Sequence, residues 1–134
     1  MKPFLHKELT NRIIGIYYEV YTDLGFGFLE KVYQNDMFYE LQRQGYEVEA
    51  QKPIKVFHKG VIVGEYFADI LVENQVLLEL KAADKLALEH EYQLINYLKA
   101  TNVEVGLLFN FGANPEFKRK IMTNDKKPLL KLLS

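Results

Sequence analysis

The 134-residue sequence contains no cysteine and no long apolar run. Without cysteine, the chain has neither a disulfide framework nor a thiolate metal site. No segment approaches the ~18–20 apolar residues that a membrane span needs, and the first residues lack the apolar stretch of a signal peptide. We therefore expect a cytoplasmic protein with no membrane partner.

The sequence also has little excess charge, since 17 basic and 18 acidic residues leave a net charge of −1. Composition alone therefore makes no electrostatic case for binding to nucleic acid. The charge is uneven, because residues 114–134 carry six basic and two acidic side chains (6 − 2 = +4), which leaves −5 on residues 1–113. This basic end could contact phosphates or could be a solvated surface, and the sequence leaves both interpretations open.

Apolar residues are abundant, at 49% of the chain. This content and the length predict a single domain spanning residues 1–134 with a genuine core. The hydrophobic periodicity predicts an α/β fold in the order α-α-β-β-β-α-β, a mixed sheet flanked by helices. Residues 116–122 fit a short strand or a helical turn. The predicted helices are 7–24, 28–44 and 85–101, and the predicted strands are 48–57, 61–72, 76–82 and 103–111.

Two of the predicted strands are strongly apolar and yet contain charged residues. Asp69 and Glu79 are equidistant from Asn74, where the polar sequence predicts a turn. A hairpin turning there would place the two carboxylates opposite each other, where like charges are destabilising. Lys81 would share a face with Glu79, because side chains alternate along a strand. A divalent cation would relieve the repulsion, and carboxylate oxygens suit Mg²⁺. The alternative is a structural cluster of ion pairs.

Polar side chains on two of the predicted helices could join this acidic patch. His90, Gln93 and Tyr97 are spaced so that they share one face of the third helix. That face could lie over the carboxylates, or it could be an ordinary helix surface. On the second helix Glu30 and Tyr33 are also three residues apart. Glu30 could add a third carboxylate, or it could only stabilise the start of its helix through the helix dipole.

These motifs carry a family resemblance. Asp69 followed at ten residues by Glu79-Leu80-Lys81 resembles the D-(x)n-E-x-K signature of the PD-(D/E)XK nuclease superfamily. The predicted element order is similar to that superfamily's core, and Gln93 with Tyr97 resembles the Q-x-x-x-Y element of its helicase-associated exonuclease branch. The run Gly27-Phe28-Leu29-Glu30-Lys31-Val32-Tyr33 resembles the motif that names the GxxExxY proteins, a bacterial family of this superfamily. The resemblance extends over residues 12–122.

The resemblance implies a nuclease that hydrolyses phosphodiester bonds in DNA, or in RNA, with Mg²⁺ or Mn²⁺ as cofactor. It implies that Lys81 orients or deprotonates the attacking water, and that Gln93 positions the site. The implied catalytic residues are Glu30, Asp69, Glu79, Lys81 and Gln93; the implied metal ligands are Asp69, Glu79, the backbone carbonyl of Leu80, and Glu30; the implied substrate-binding residues are Tyr97, His90 and Tyr33.

Two other functions stay open at this point. The chain could be a catalytically silent module that binds nucleic acid or protein and keeps the nuclease fold, or a purely structural or regulatory dimer with a carboxylate cluster. The presence of Asp69, Glu79, Lys81 and Gln93 together favours the enzyme. The near-neutral charge and the lack of a groove-reading element weaken the case for sequence-specific recognition of nucleic acid. A homodimer that encloses the substrate is a further alternative that no sequence feature decides.

Overall fold

The computed structural model describes residues 5–131, in which all seven predicted elements form. Residues 116–121, which the sequence left open, are a fifth strand. The second helix begins at Glu30, because the preceding residues form a loop. The elements are the helices α1 (Lys7–Leu24), α2 (Glu30–Arg43), α3 (Leu88–Lys99) and α4 (Pro128–Lys131), the strands β1 (Val48–His58), β2 (Val61–Val72), β3 (Val76–Lys81), β4 (Val105–Asn110) and β5 (Glu116–Ile121), and a short 3₁₀ helix at Asn124–Lys126.

The five strands lie side by side in chain order, from β1 to β5. All neighbouring strands are antiparallel except β3 and β4, which are parallel. Parallel neighbours need a crossover connection, and α3 provides it. The predicted α/β fold with a mixed sheet flanked by helices is therefore confirmed.

The sheet has an apolar core on each of its faces. On one face α1 and α2 bury residues such as Ile13 and Met37 against the strands. On the other face α3 buries Leu94 and Leu98 against strand residues such as Leu77. β3 and β4 are covered on both sides, which explains their almost continuous apolar sequence. None of the helices within residues 5–131 has the length and hydrophobicity to span a lipid bilayer.

A glycine in β4 lets α3 lie close to the sheet. A Cβ atom at Gly106 would come within 2.6 Å of Cδ1 of Leu94. A larger residue would displace the side chain of Leu94, so Gly106 permits the close packing of Leu94 against β4. The same contact fixes the position of Gln93 and Tyr97, which lie on either side of Leu94 along the helix.

A tight turn joins β2 and β3 at the place that the sequence predicted. The N–H of Gln75 donates to the carbonyl of Val72 at 2.9 Å. The two residues between them, Glu73 and Asn74, have positive φ angles of 53° and 54°. Positive φ at both central positions is the property of a type I′ turn, which matches the twist of a hairpin.

The ladder between β2 and β3 is short and ends where Ile70 pairs with Leu78. Beyond that point β2 pairs with β1 alone, and the two strands form a ribbon that includes residues 52–68. The register places Asp69 and Glu79 at the next position after the last pair. The sheet therefore opens between β2 and β3 at the two acids that the sequence singled out.

Candidate active site

The carboxylates of Asp69 and Glu79 replace backbone hydrogen bonds at the point where β2 and β3 separate. Oε1 of Glu79 accepts the N–H of Asp69 at 3.0 Å, and Oδ2 of Asp69 accepts the N–H of Leu80 at 2.8 Å. Each acid therefore binds the backbone of the opposite strand, and both are held in the gap between the strands. One oxygen of each carboxylate is used in this way, which leaves the second oxygen for another ligand.

Both carboxyl groups are poorly solvated. Glu79 is only 4% exposed, and burial, followed by the charge of Asp69, raises the pKa of Glu79 to about 8. Burial also raises the pKa of Asp69. Hydrogen bonds from the backbone and the charge of Lys81 oppose both pKa shifts without cancelling them. The metal-free pair therefore retains a proton at neutral pH, because the site lacks enough positive charge to ionise both acids.

The backbone of Leu80 adds a third oxygen to this gap. The N–H and C=O of one strand residue point to the same side, so the carbonyl of Leu80 faces the gap that contains its N–H partner. The next residue faces the other way, since the carbonyl of Lys81 accepts the N–H of Phe111 at 2.7 Å. The ammonium charge of Lys81 lowers the pKa of both acids, which shows that its side chain lies within electrostatic reach of them.

Two residues of α3 lie beside the carboxylates. Tyr97 is 5% exposed, and burial, followed by the charges of Glu79 and Asp69, raises its pKa to about 12. Gln93, one helical turn earlier, is hydrogen-bonded to the side chain of Tyr97. The structure therefore brings the two polar residues of this helix face to the edge of the acidic pair.

Glu30 influences the site through its charge. It is the exposed first residue of α2, and its charge raises the pKa of both Asp69 and Glu79. Within the described residues 5–131, however, no three His, Cys, Asp or Glu side chains are close enough to hold a metal by themselves. Glu30 therefore lies near the pair without completing a cluster of three carboxylates.

A comparison with protein families identifies this arrangement. A model of the PD-(D/E)XK nuclease superfamily matches residues 7–121, which include every element from α1 to β5. The chain belongs to the PD-(D/E)XK nuclease superfamily. The superfamily resemblance that the sequence motifs carried is thereby confirmed.

Among solved structures, the crystal structure of SSO0001 is similar to this PD-(D/E)XK chain over most of the chain's length. That structure matches with a TM-score of 0.53 and 18% sequence identity, over 77% of this chain and 55% of the other. At this identity the likeness shows the fold alone. The chain spans about half the length of SSO0001. No curated protein matches the sequence.

The residues of the gap fit the divalent ion that PD-(D/E)XK nucleases typically use. Asp69 and Glu79 each keep one carboxylate oxygen free of the hydrogen bonds described above, and the carbonyl of Leu80 points to the same place. All three donors are oxygens, which are the ligands that Mg²⁺ prefers. Burial raises the pKa of both acids, and a cation bound between them would lower both pKa values.

Two of the predicted substrate-binding residues bind the protein's own backbone. The hydroxyl of the fully buried Tyr33 donates to the carbonyl of Gly25 at 2.6 Å and accepts the N–H of Phe28 at 3.1 Å. Tyr33 therefore closes the loop between α1 and α2, and both hydrogen bonds of its hydroxyl give it a structural role. His90 is half-buried, and its Nδ1 accepts the N–H of Ala87 at 3.1 Å, at the start of α3.

Asn110, to which the sequence reasoning gave no role, holds the loop that follows Lys81. Its buried Oδ1 accepts the N–H groups of Ala83 and Gly112, both at 3.0 Å, and its Nδ2 donates to the carbonyl of Ala83 at 2.9 Å. A Cβ atom at Gly112 would lie 1.7 Å from that carbonyl oxygen. An asparagine that ends an apolar strand, two residues before a glycine, was the available signal in the sequence.

Two tyrosines of α1 secure the chain after Asn110 from the other side. The hydroxyl of Tyr17 donates to the carbonyl of Asn110, and that of Tyr21 donates to the carbonyl of Gly112 at 2.7 Å. Phe111, the residue after Asn110, donates its N–H to the carbonyl of Lys81. By holding this part of the chain, α1 also helps to fix the end of β3 that carries Lys81. These hydroxyls are therefore structural, although both side chains belong to an otherwise apolar helix face.

The basic C-terminal segment is only partly available to phosphates. Lys127 is fully buried, and its Nζ donates to the carbonyls of Thr101 at 2.9 Å and Val103 at 2.6 Å. Lys120 forms an ion pair with Glu91 of α3 at 2.7 Å. At least two of the segment's cations thus have structural partners.

Proposed function

We propose that this chain is a divalent-metal-dependent nuclease of the GxxExxY type, with DNA as the first candidate substrate and RNA as the second. The observation that carries the proposal is the pair formed by Asp69 and Glu79, two poorly solvated acids with raised pKa values beside a single lysine. Burying two neighbouring acids with so little positive charge beside them costs stability in a metal-free protein. Such a cost is expected where a site is built for a cation.

In this proposal the cation is Mg²⁺ or Mn²⁺, and it is held by Asp69, Glu79 and the carbonyl of Leu80. A bound cation supplies a nucleophilic water at neutral pH and positive charge opposite the developing charge of the phosphate. Both acids must be ionised to hold it, so binding releases the proton that the metal-free pair retains. Glu30, whose charge acts on the pair, would direct the cation or the attacking water.

The remaining polar residues orient the reactants. Lys81 holds the attacking water at its Nζ and offsets negative charge on the phosphate oxygens. Tyr97, with its pKa raised to about 12, stays protonated at physiological pH and so remains a hydrogen-bond donor. Gln93 holds the hydroxyl of Tyr97 in place. His90 lies on the same face of α3, one turn before Gln93, and contacts the nucleic-acid backbone.

A cleavage assay tests the proposal. Labelled single- and double-stranded DNA and RNA would be incubated with Mg²⁺ or Mn²⁺ and with wild type, Glu79→Gln or Lys81→Ala protein. Glu79→Gln is preferred to alanine because a glutamine oxygen still accepts the N–H of Asp69. We expect both variants to lose at least ~100-fold in rate without unfolding. Glu19→Gln, an exposed residue of α1, is the matched control and should cleave normally.

The outcomes separate the enzyme from the silent binding module. Cleavage that is lost in both site variants and kept in the control establishes the nuclease and reveals its substrate. Cleavage that survives in Glu79→Gln means a contaminant or a different site, and the proposal fails. No cleavage by any protein, together with binding of labelled nucleic acid, favours the silent module.

A further inference from the structure

A cleft of about 430 Å³ lies between the β1–β2 ribbon and α3, and Tyr97 of the candidate site forms part of its lining. Its volume is in the ~300–1,000 Å³ range of small-ligand sites. Tyrosines from both elements line it, namely Tyr66 of the ribbon and Tyr92 and Tyr97 of α3. The cleft is therefore an aromatic chamber beside the site of the proposed chemistry.

Two of these tyrosine side chains are largely exposed to solvent. Tyr66 is 49% exposed and Tyr92 is 59% exposed. Tyr66 lies beside the buried Tyr97, with ring centroids 5.7 Å apart at an angle of 44°. Within the described part of the chain, no other aromatic ring packs against Tyr92. Exposed flat rings on both sides of a cleft suit a flat aromatic ligand that stacks between them.

The polar groups of the cleft also suit such a ligand. Gln93 and Asn96 present side-chain amides, each of which carries both donors and an acceptor. The edge of a nucleobase carries the same mixture of donors and acceptors. The two charged residues of the lining, Glu89 and Lys99, have opposite signs. The cleft therefore favours a ligand part that is planar, polar at its edge and uncharged.

Tyr97 links the cleft to the carboxylate pair. Its ring forms part of the cleft wall, and it lies within electrostatic reach of Glu79 and Asp69. A planar group stacked in the cleft would therefore lie next to whatever phosphate occupies the metal site.

We propose that the cleft binds one unpaired nucleobase beside the scissile phosphate, so that the substrate of this chain is single-stranded nucleic acid. The inference rests on the proposed nuclease function. In a duplex the faces of the bases are stacked and their edges are paired, so a base enters such a cleft only after flipping, at a cost of a few kcal/mol. A single strand avoids that cost, and stacking on tyrosine tolerates every base.

Oligonucleotide binding without cleavage tests the inference. The affinity of a fluorescein-labelled oligothymidylate would be measured by anisotropy in EDTA, for wild type and for Tyr92→Ala, Tyr92→Phe and Tyr66→Ala. We expect each alanine variant to bind roughly 5- to 150-fold more weakly, as for other base-stacking aromatic residues. Tyr92→Phe keeps the ring and should bind like wild type. Tyr39→Ala is the matched control, since Tyr39 is 58% exposed on α2.

Other results of the same measurements would refute the inference. Equal affinity of Tyr92→Ala and Tyr39→Ala, or equal affinity of wild type for the single strand and its duplex, would refute the base-binding cleft. Displacement of the oligonucleotide by N-acetyltyrosinamide but not by thymidine would assign the cleft to a peptide, and would also refute it.

The failure of this inference and that of the nuclease proposal are distinguishable. Binding that depends on Tyr92, without cleavage in Mg²⁺ or Mn²⁺, would keep the base-binding cleft and reject the nuclease. Cleavage that requires Glu79 but is insensitive to Tyr92 and equal on single strands and duplexes would keep the nuclease and reject the cleft.

Discussion

Glu79 accepts a hydrogen bond from the backbone N–H of Asp69, at 3.0 Å, while it repels the carboxylate of the same residue. The hydrogen bond holds the acid at the edge of a broken strand ladder, while burial, followed by the charge of Asp69, keeps its pKa high. Attraction to the backbone and repulsion between the side chains thus act on one pair. This combination holds two ligands in place at the expense of stability in the metal-free protein.

The first prediction concerns the pH dependence of stability in EDTA. The pKa of Glu79 is about 8 in the folded chain against an ordinary value of 4.5, so the folded state keeps a proton that the unfolded state releases between these values. Wild-type stability must therefore fall as pH rises through this window. Glu79→Gln does not titrate, and its stability advantage over wild type should grow with pH and level off above pH 8. Urea denaturation at several pH values measures both proteins, and a constant difference between them would contradict the raised pKa.

The second prediction concerns stabilisation by metal. A cation that binds only the folded state raises the free energy of unfolding, by about 2.7 kcal/mol when its concentration is 100 times its Kd. The melting temperature rises as a result. Because the cation must displace the proton held by Glu79, the rise should be larger above pH 8 than at pH 6. Thermal denaturation with Mg²⁺ and Mn²⁺ measures this rise. Glu79→Gln should lose most of it and Glu19→Gln should keep it; an equal rise in both variants would place the cation elsewhere.

Patterns that are local in the sequence predicted much of the fold. The apolar runs located β2 and β3, and the polar residues around Asn74 located their turn, because strand periodicity and turn chemistry depend on near neighbours. Because Asp69 and Glu79 are equidistant from Asn74, the predicted turn also placed these two acids opposite each other. β5 could not be decided, since it is half-buried and mostly polar, without a clear alternation.

The contacts that support the site could not be predicted in this way. Asn110 binds Ala83 across 27 residues of chain, and the hydroxyl of Tyr33 binds a loop whose shape depends on Gly25. Hydrophobic periodicity does not reveal the hydrogen-bond partners of Asn110 or Tyr33, because these contacts exist only after the chain has folded. The tyrosine cleft is similar, since Tyr66 and Tyr92 come to line one cleft only when the ribbon and α3 are placed side by side.

The third prediction concerns the loop after Lys81. Asn110→Ala would leave two backbone N–H groups and one carbonyl without partners in a buried place. Each unsatisfied group costs about 1–3 kcal/mol, so we expect a loss of at least ~3 kcal/mol in the free energy of unfolding. Asn110→Asp keeps the acceptor and loses only the donor, and should be less damaging at neutral pH. Urea denaturation compares the two, and the reverse order of stability would show that the charge of aspartate dominates.

The last prediction separates a structural tyrosine from a substrate contact. Tyr33→Phe removes a hydroxyl that bonds the carbonyl of Gly25 and the N–H of Phe28. We expect a loss of about 1–3 kcal/mol in the free energy of unfolding, because both backbone groups lose a partner. Well below the melting temperature, the KM for an oligonucleotide should match wild type, since the buried ring does not reach the substrate. Tyr39→Phe, on the exposed face of α2, is the control for stability. A raised KM with unchanged stability would instead make Tyr33 part of the substrate site.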